Sequence, residues 1–217
     1  MQKQSSRTTS PQASLVSWWD EALGALESRP AAQPLAGLIA LSREKREGLL
    51  ASDDLMRSIV RAVCGQQVSN AVAMKLAGNV LAAAGGARSL DLARSLADLG
   101  PQGLASCGLS KGKAAALAAL AALYASGEIN EAACAAAADD EISERLTAVK
   151  GVGPWTAHMI LIFGLGRPDV WPGGDYGIKK ALAALDMVPG PHEEFAPYRT
   201  AAAWLLWRSI TQTPVQY

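Results

Sequence analysis

From Ser14 onward, apolar residues recur at three- and four-residue steps, the spacing of one buried helical face. Ser14 is positioned to cap a helix over Leu15–Glu27, with Trp18, Ala22, Leu23 and Leu26 on one side. Ser52, Asp53 and Asp54 open a second helix, with Leu55, Ile59, Ala62 and Val63 facing inward, and Gly65 interrupts it. Further helices are predicted over Ser69–Ala84, ending at Gly85 and Gly86, and over Leu90–Leu99. Ser110 caps Lys111–Ser126, which Gly127 stops. A short helix is expected within Glu131–Ala138, then Ser143–Ala148, a tight glycine turn and Pro154–Gly164. Residues 166–175 hold two prolines and three glycines and read as a loop. Helical spacing resumes over Tyr176–Leu185 and Pro197–Thr211. No strand-length alternation of β-branched residues appears, so the fold class is all-α. Residues 1–13 are polar and read as a disordered tail, with a DNA-contacting arm as the lesser alternative.

Composition narrows the picture. The chain has 217 residues, 50% hydrophobic and 6% aromatic, enough for a substantial core without staples. Twenty basic and twenty acidic side chains cancel, which excludes a strongly basic nucleic-acid coat protein or an acidic tail. Cys64, Cys107 and Cys134 form no CxxC pair, against a disulfide framework, structural zinc or an iron–sulfur cluster. No apolar run has membrane-span length and no signal peptide is evident. The expectation is a cytoplasmic protein without membrane contact.

Two segments carry candidate chemistry. In Leu146–Ala157, an apolar helix end meets Gly151-Val152-Gly153 and a new helix starts at Pro154. Glycines permit positive φ and close backbone approach, and a helix N-terminus offers free N–H groups, which together make an anion site. A bare GxG is as readily an ordinary αα-hairpin. Asp175 follows Gly153 by 22 positions, at a helix head behind a Pro-Gly loop. Taken alone it is an ordinary N-cap.

Taken together, these residues resemble a known family. The pattern LxxVxGVGxxTA over 146–157, followed by Asp175 in DYGIKK, resembles the hairpin and catalytic loop of the HhH-GPD superfamily of base-excision DNA glycosylases. Ile59–Ala71 (IVRAVCGQQVSNA), Leu104–Leu117 and Phe195–Ser209 resemble segments of its 3-methyladenine DNA glycosylase II branch, in the same order. The resemblance implies two helical subdomains with the active site in the cleft between them. One would span about 55–165, and the other the N-terminal helix with about 166–217. It also implies a compact form, covering 14–217, without an N-terminal β-rich domain.

The implied function is excision of alkylated, cationic bases such as 3-methyladenine from double-stranded damaged DNA by a monomer. Asp175 would be the catalytic carboxylate. Trp155, Met159 and Trp207 would line the base pocket, Met159 standing where a relative has an aromatic. Gln67 would be the wedge that fills the gap left by a flipped nucleotide, although Gln66 and Gln67 both also read as helix-end caps. Gly151, Val152, Gly153 and Thr156 would bind the DNA backbone. Carbonyls of Thr147, Val149 and Val152 would hold a structural monovalent cation, with no other cofactor and no iron–sulfur cluster. Trp155 stands where lyase-active members carry a Schiff-base lysine, which implies a monofunctional hydrolase. Gly174 departs from relatives that carry a second acid there. His158 and His192 have no base-like spacing. Alternatives are a non-catalytic DNA-binding module, a glycosylase for another lesion, and a bifunctional glycosylase-lyase.

Overall fold

The computed structural model describes residues 14–188 and 193–211. The polar segment 1–13 and His192 lie outside them. Eleven α-helices are assigned among the described residues: α1 (Trp19–Glu27), α2 (Ala36–Lys45), α3 (Leu55–Gly65), α4 (Asn70–Ala83), α5 (Ser89–Ser106), α6 (Lys111–Ser126), α7 (Glu131–Ala136), α8 (Asp139–Thr147), α9 (Pro154–Met159), α10 (Tyr176–Ala184) and α11 (Arg199–Ser209). Two two-residue strands, β1 (Ser14–Leu15) and β2 (Leu50–Ala51), pair antiparallel. No described helix is long and apolar enough to cross a membrane.

Side-chain caps start five of the eleven helices. Asp54 accepts from the Arg57 N–H at 3.1 Å and starts α3. Ser69, Ser110 and Asn130 cap α4, α6 and α7 through the same side-chain-to-N3 bond. Gly127, at φ 89°, closes α6. Gly100, at φ 58°, breaks α5 ahead of Pro101, so its helical stretch ends near the predicted Leu99 and a further turn follows.

α3 is the axis of the core. It buries eight of its residues and packs against α4, α5, α6 and α9. α9 continues into a π-helical turn, Ile160–Gly164, whose five residues are all buried and which lies against α3. At the other end, α11 packs on α1, α2 and α10. Its interior is Trp204, in an edge contact with Trp19 at 5.1 Å between centroids.

Two expectations need correction, and one segment had none. Ser14 caps no helix; it pairs with Ala51, and α1 begins at Trp19. Tertiary bonds claim this segment: the Val16 N–H donates to Leu49 O, and the Trp18 indole to Gly166 O at 2.8 Å. α8 starts at Asp139 rather than Ser143, because Asp139, Asp140 and Glu141 suit the positive end of the helix dipole. Residues 30–45 carry a short 3-10 turn and α2, which the apolar spacing did not predict; Ile39 and Ser42 are α2's only buried residues.

Candidate active site and nucleic-acid interface

The hairpin is the turn between α8 and α9. Leu146, Val149 and Val152 are buried and anchor it. Gly151 sits at φ 93°, and a Cβ there would stand 3.4 Å from Ala116 Cβ and 3.6 Å from Gly112 O on α6. Gly153 differs. Its φ is −101°, and a Cβ there would meet nothing within 4 Å. Only Gly151 is glycine for the backbone's sake; the space beside Gly153 is open.

The N–H groups of Gly151 and Gly153 donate to no acceptor among the described residues. The Val152 N–H is taken by Val149 O at 3.0 Å, so of the three turn residues expected at the DNA backbone Val152 has no free amide. Thr156 also departs from expectation: it is 2% exposed, and its hydroxyl accepts from Gln66 Nε2 at 2.9 Å instead of facing solvent. The same Gln66 nitrogen donates to Gly151 O at 3.0 Å. Gln67 is exposed, in the left-handed region at φ 54°. Lys113 Nζ ties α6 to the same place by donating to Cys64 O at 2.9 Å. Burial pushes the Cys64 thiol up to about 12, so it is no nucleophile near neutrality.

The residues fit a monovalent cation at the hairpin. The carbonyls of Thr147 and Val152 accept no hydrogen bond among the described residues, and Val149 O accepts one. Backbone oxygens suit a hard, weakly charged ion. Among the described residues there is no cluster of His, Cys, Asp and Glu able to hold a metal.

Asp175 caps α10, its Oδ1 accepting from the Ile178 N–H at 2.9 Å. The same oxygen accepts from Trp207 Nε1 at 2.8 Å, and Oδ2 accepts from Trp155 Nε1 at 2.7 Å. Three donors from three helices therefore hold one half-buried carboxylate. Trp207 stacks on Phe163 at 5.7 Å with 29° between planes, and is 8% exposed. Trp155 is half-buried. Met159 is 2% exposed and packs in the core. Burial also pulls the His158 imidazole below its usual value.

The loop ahead of Asp175 is fastened to α11. Thr200 Oγ1 donates to Arg167 O at 2.7 Å and accepts from the Val170 N–H at 3.0 Å. Arg199 grips Asp169 with Nε and Nη2 at 2.7 and 2.9 Å. Although burial raises the Asp169 carboxyl, these bonds leave it below the usual range.

Gly177 was missed from sequence. A Cβ there would sit 3.0 Å from Asp175 Oδ1, 3.0 Å from Trp207 Cδ1 and 3.2 Å from Trp207 Nε1. The signal was present: a glycine inside a nine-residue helix is disfavoured unless space demands it.

Comparison with known proteins identifies relatives of the chain. The family model described as "HhH-GPD superfamily base excision DNA repair protein" matches residues 60–203. The chain is 32% identical over 161 residues to DNA-3-methyladenine glycosylase 1 of Schizosaccharomyces pombe, covering 70% of each protein. It is 35% identical over 161 residues to the probable bifunctional transcriptional activator/DNA repair enzyme AlkA of Mycobacterium tuberculosis, covering 69% of this chain but 30% of that longer protein. In structure it is similar to the S. pombe 3-methyladenine DNA glycosylase Mag1 in complex with abasic DNA, with a TM-score of 0.74 and 28% identity over 91% of this chain and 100% of that one. With the family model matched over residues 60–203, the chain belongs to the HhH-GPD superfamily of base excision DNA repair proteins.

Proposed function

We propose that the protein is a monofunctional DNA glycosylase that removes alkylated, cationic bases from duplex DNA and leaves an abasic site. The observation that carries this reading is Asp175, a half-buried carboxylate oriented by three N–H donors and placed after the hairpin.

Cleavage of an N-glycosidic bond builds positive charge on the deoxyribose. A fixed carboxylate beside C1′ stabilises that charge without reorganising. The C1′–N bond breaks and its electron pair leaves with the base. A base already cationic departs neutral and needs no acid. Water oxygen then bonds to C1′, and its proton passes to Asp175 or to solvent. Trp155 has no amine with which to form a Schiff base, and Lys150 lies on the far side of the turn, so β-elimination does not follow. The free amides of Gly151 and Gly153 bind a backbone phosphate. A monovalent cation on the Thr147, Val149 and Val152 carbonyls would stiffen the turn and add positive charge beside that phosphate. The enzyme acts as a monomer in the compartment that holds the DNA.

The test is base release from duplexes carrying 3-methyladenine, 7-methylguanine, etheno-adenine or 8-oxoguanine, with borohydride trapping alongside. Release of the methylated purines with no trapped adduct is expected. Release of 8-oxoguanine alone, or a covalent adduct, would overturn the reading.

A further inference from the structure

We infer that Gln66 is a positioning residue that locks the exposed Gln67 to the hairpin, so that phosphate gripping and insertion into the duplex occur as one rigid movement. The inference rests on the glycosylase reading and deepens it.

The Gln66 side chain leaves the end of α3 and crosses 85 residues of sequence to donate to Gly151 O at 3.0 Å, and 90 to reach Thr156 Oγ1 at 2.9 Å. Gly151 O can only accept, so the amide nitrogen must face the turn. One acceptor belongs to the hairpin turn and the other to a threonine 2% exposed on α9, so the tether ends on fixed ground.

On the α3 side, the next residue takes the left-handed conformation at φ 54°, unfavourable by about 1–2 kcal/mol for a side chain with a Cβ. That turn ends α3 and sets the course of the chain through Gln67, which is exposed. Lys113 Nζ holds Cys64 O at 2.9 Å and closes the frame from α6. Two surface elements are thereby fixed relative to each other: the unused amides of Gly151 and Gly153, and the Gln67 side chain. A phosphate bound at the first sets how deep the second enters the base stack.

The test compares binding to undamaged duplex with binding to a duplex holding a tetrahydrofuran abasic site, which has the gap and needs no chemistry. Gln66→Met keeps the shape and removes both bonds; Gln66→Asn keeps the amide but falls one methylene short. Each is expected to bind undamaged duplex as wild type does. Each should lose about tenfold in preference for the abasic duplex, the worth of two ordinary hydrogen bonds. Thr156→Val, which removes one acceptor, should lose less in the same direction, and serves if the Gln66 variants melt early. Adding Gln67→Ala to Gln66→Met should cost nothing beyond Gln67→Ala alone. Equal weakening on both duplexes, or additive losses, would overturn the inference and leave Gln66 a mere brace of the turn. Wild-type protein with no preference for the abasic duplex would instead overturn the glycosylase reading itself.

Discussion

Asp175 and the hairpin turn hold polar groups in opposite states. The carboxylate is surrounded by donors: the Ile178 amide and the indoles of Trp155 and Trp207, all at 2.7–2.9 Å. The turn leaves two of its donors, the Gly151 and Gly153 amides, without an acceptor among the described residues. Each suits what it must meet. A phosphate arrives fully charged and supplies its own acceptors, so the amides must wait unpaired. The sugar's positive charge exists only near the transition state, so the acid facing it must be aimed beforehand. In the proposed reaction, orientation belongs to the catalytic group and vacancy to the binding group.

This contrast can be broken at several points. The largest effect is expected from Asp175→Asn. The amide nitrogen would face an indole N–H or lose a bond, and nothing would oppose the sugar's charge. Single-turnover base release should fall at least about 10²–10³-fold, with binding to abasic duplex kept. Near-normal release would remove Asp175 from the mechanism. Trp207→Phe preserves the stack on Phe163 but deletes one donor, and release should slow about tenfold while DNA affinity holds. An unchanged rate would mean that this donor contributes nothing to aim.

Gly177→Ala should act through crowding. Alanine favours the helix by up to about 1 kcal/mol, so the melting temperature should hold or rise. The new methyl presses on Asp175 and Trp207, so release should fall several-fold. A drop in melting temperature with full activity would contradict this. The two hairpin glycines should separate. Gly151→Ala meets a positive φ and should cost about 1–2 kcal/mol in urea unfolding. Gly153→Ala should cost only about 0.5 kcal/mol at this N-cap, yet weaken DNA binding more than it weakens the fold. Equal effects on both measures would show that Gly153 is there for the fold. The smallest signal is salt dependence. With a formal net charge of zero and amide gripping, log affinity against log salt should be shallower than for a protein making about 6–10 phosphate contacts.

Much of the site could be read from local chemistry. Ser110 and Ser69 are caps whose side chains reach only their own helices, and the cap that Asp175 makes on α10 is equally local, so sequence predicts these bonds well. The hairpin was legible because its glycines, buried valines and proline lie within a few residues. Long-range choices were hidden. Nothing local says that the Trp155 and Trp207 indoles, 52 positions apart, share one carboxylate. Likewise, nothing local says that Thr156 turns inward to Gln66 or that Met159 enters the core. β1 was missed because tertiary bonds claimed residues with helical spacing. α2 was missed because it buries too little to leave a stripe.

The clamp on the catalytic loop has a consequence for how such a protein can change over generations. α11 holds the loop's beginning through Arg199 and Thr200, and its end, at Asp175, through Trp207. Between them, the tip at Gly174 is exposed, and a Cβ added there would meet nothing within 4 Å. Under the proposed reading, a small side chain at Gly174 can be tried beside the acid without a clash at its first carbon. The scaffold thus separates what must be inherited intact from what can drift, and a shift in the range of damage recognised need not begin with a loss of catalysis.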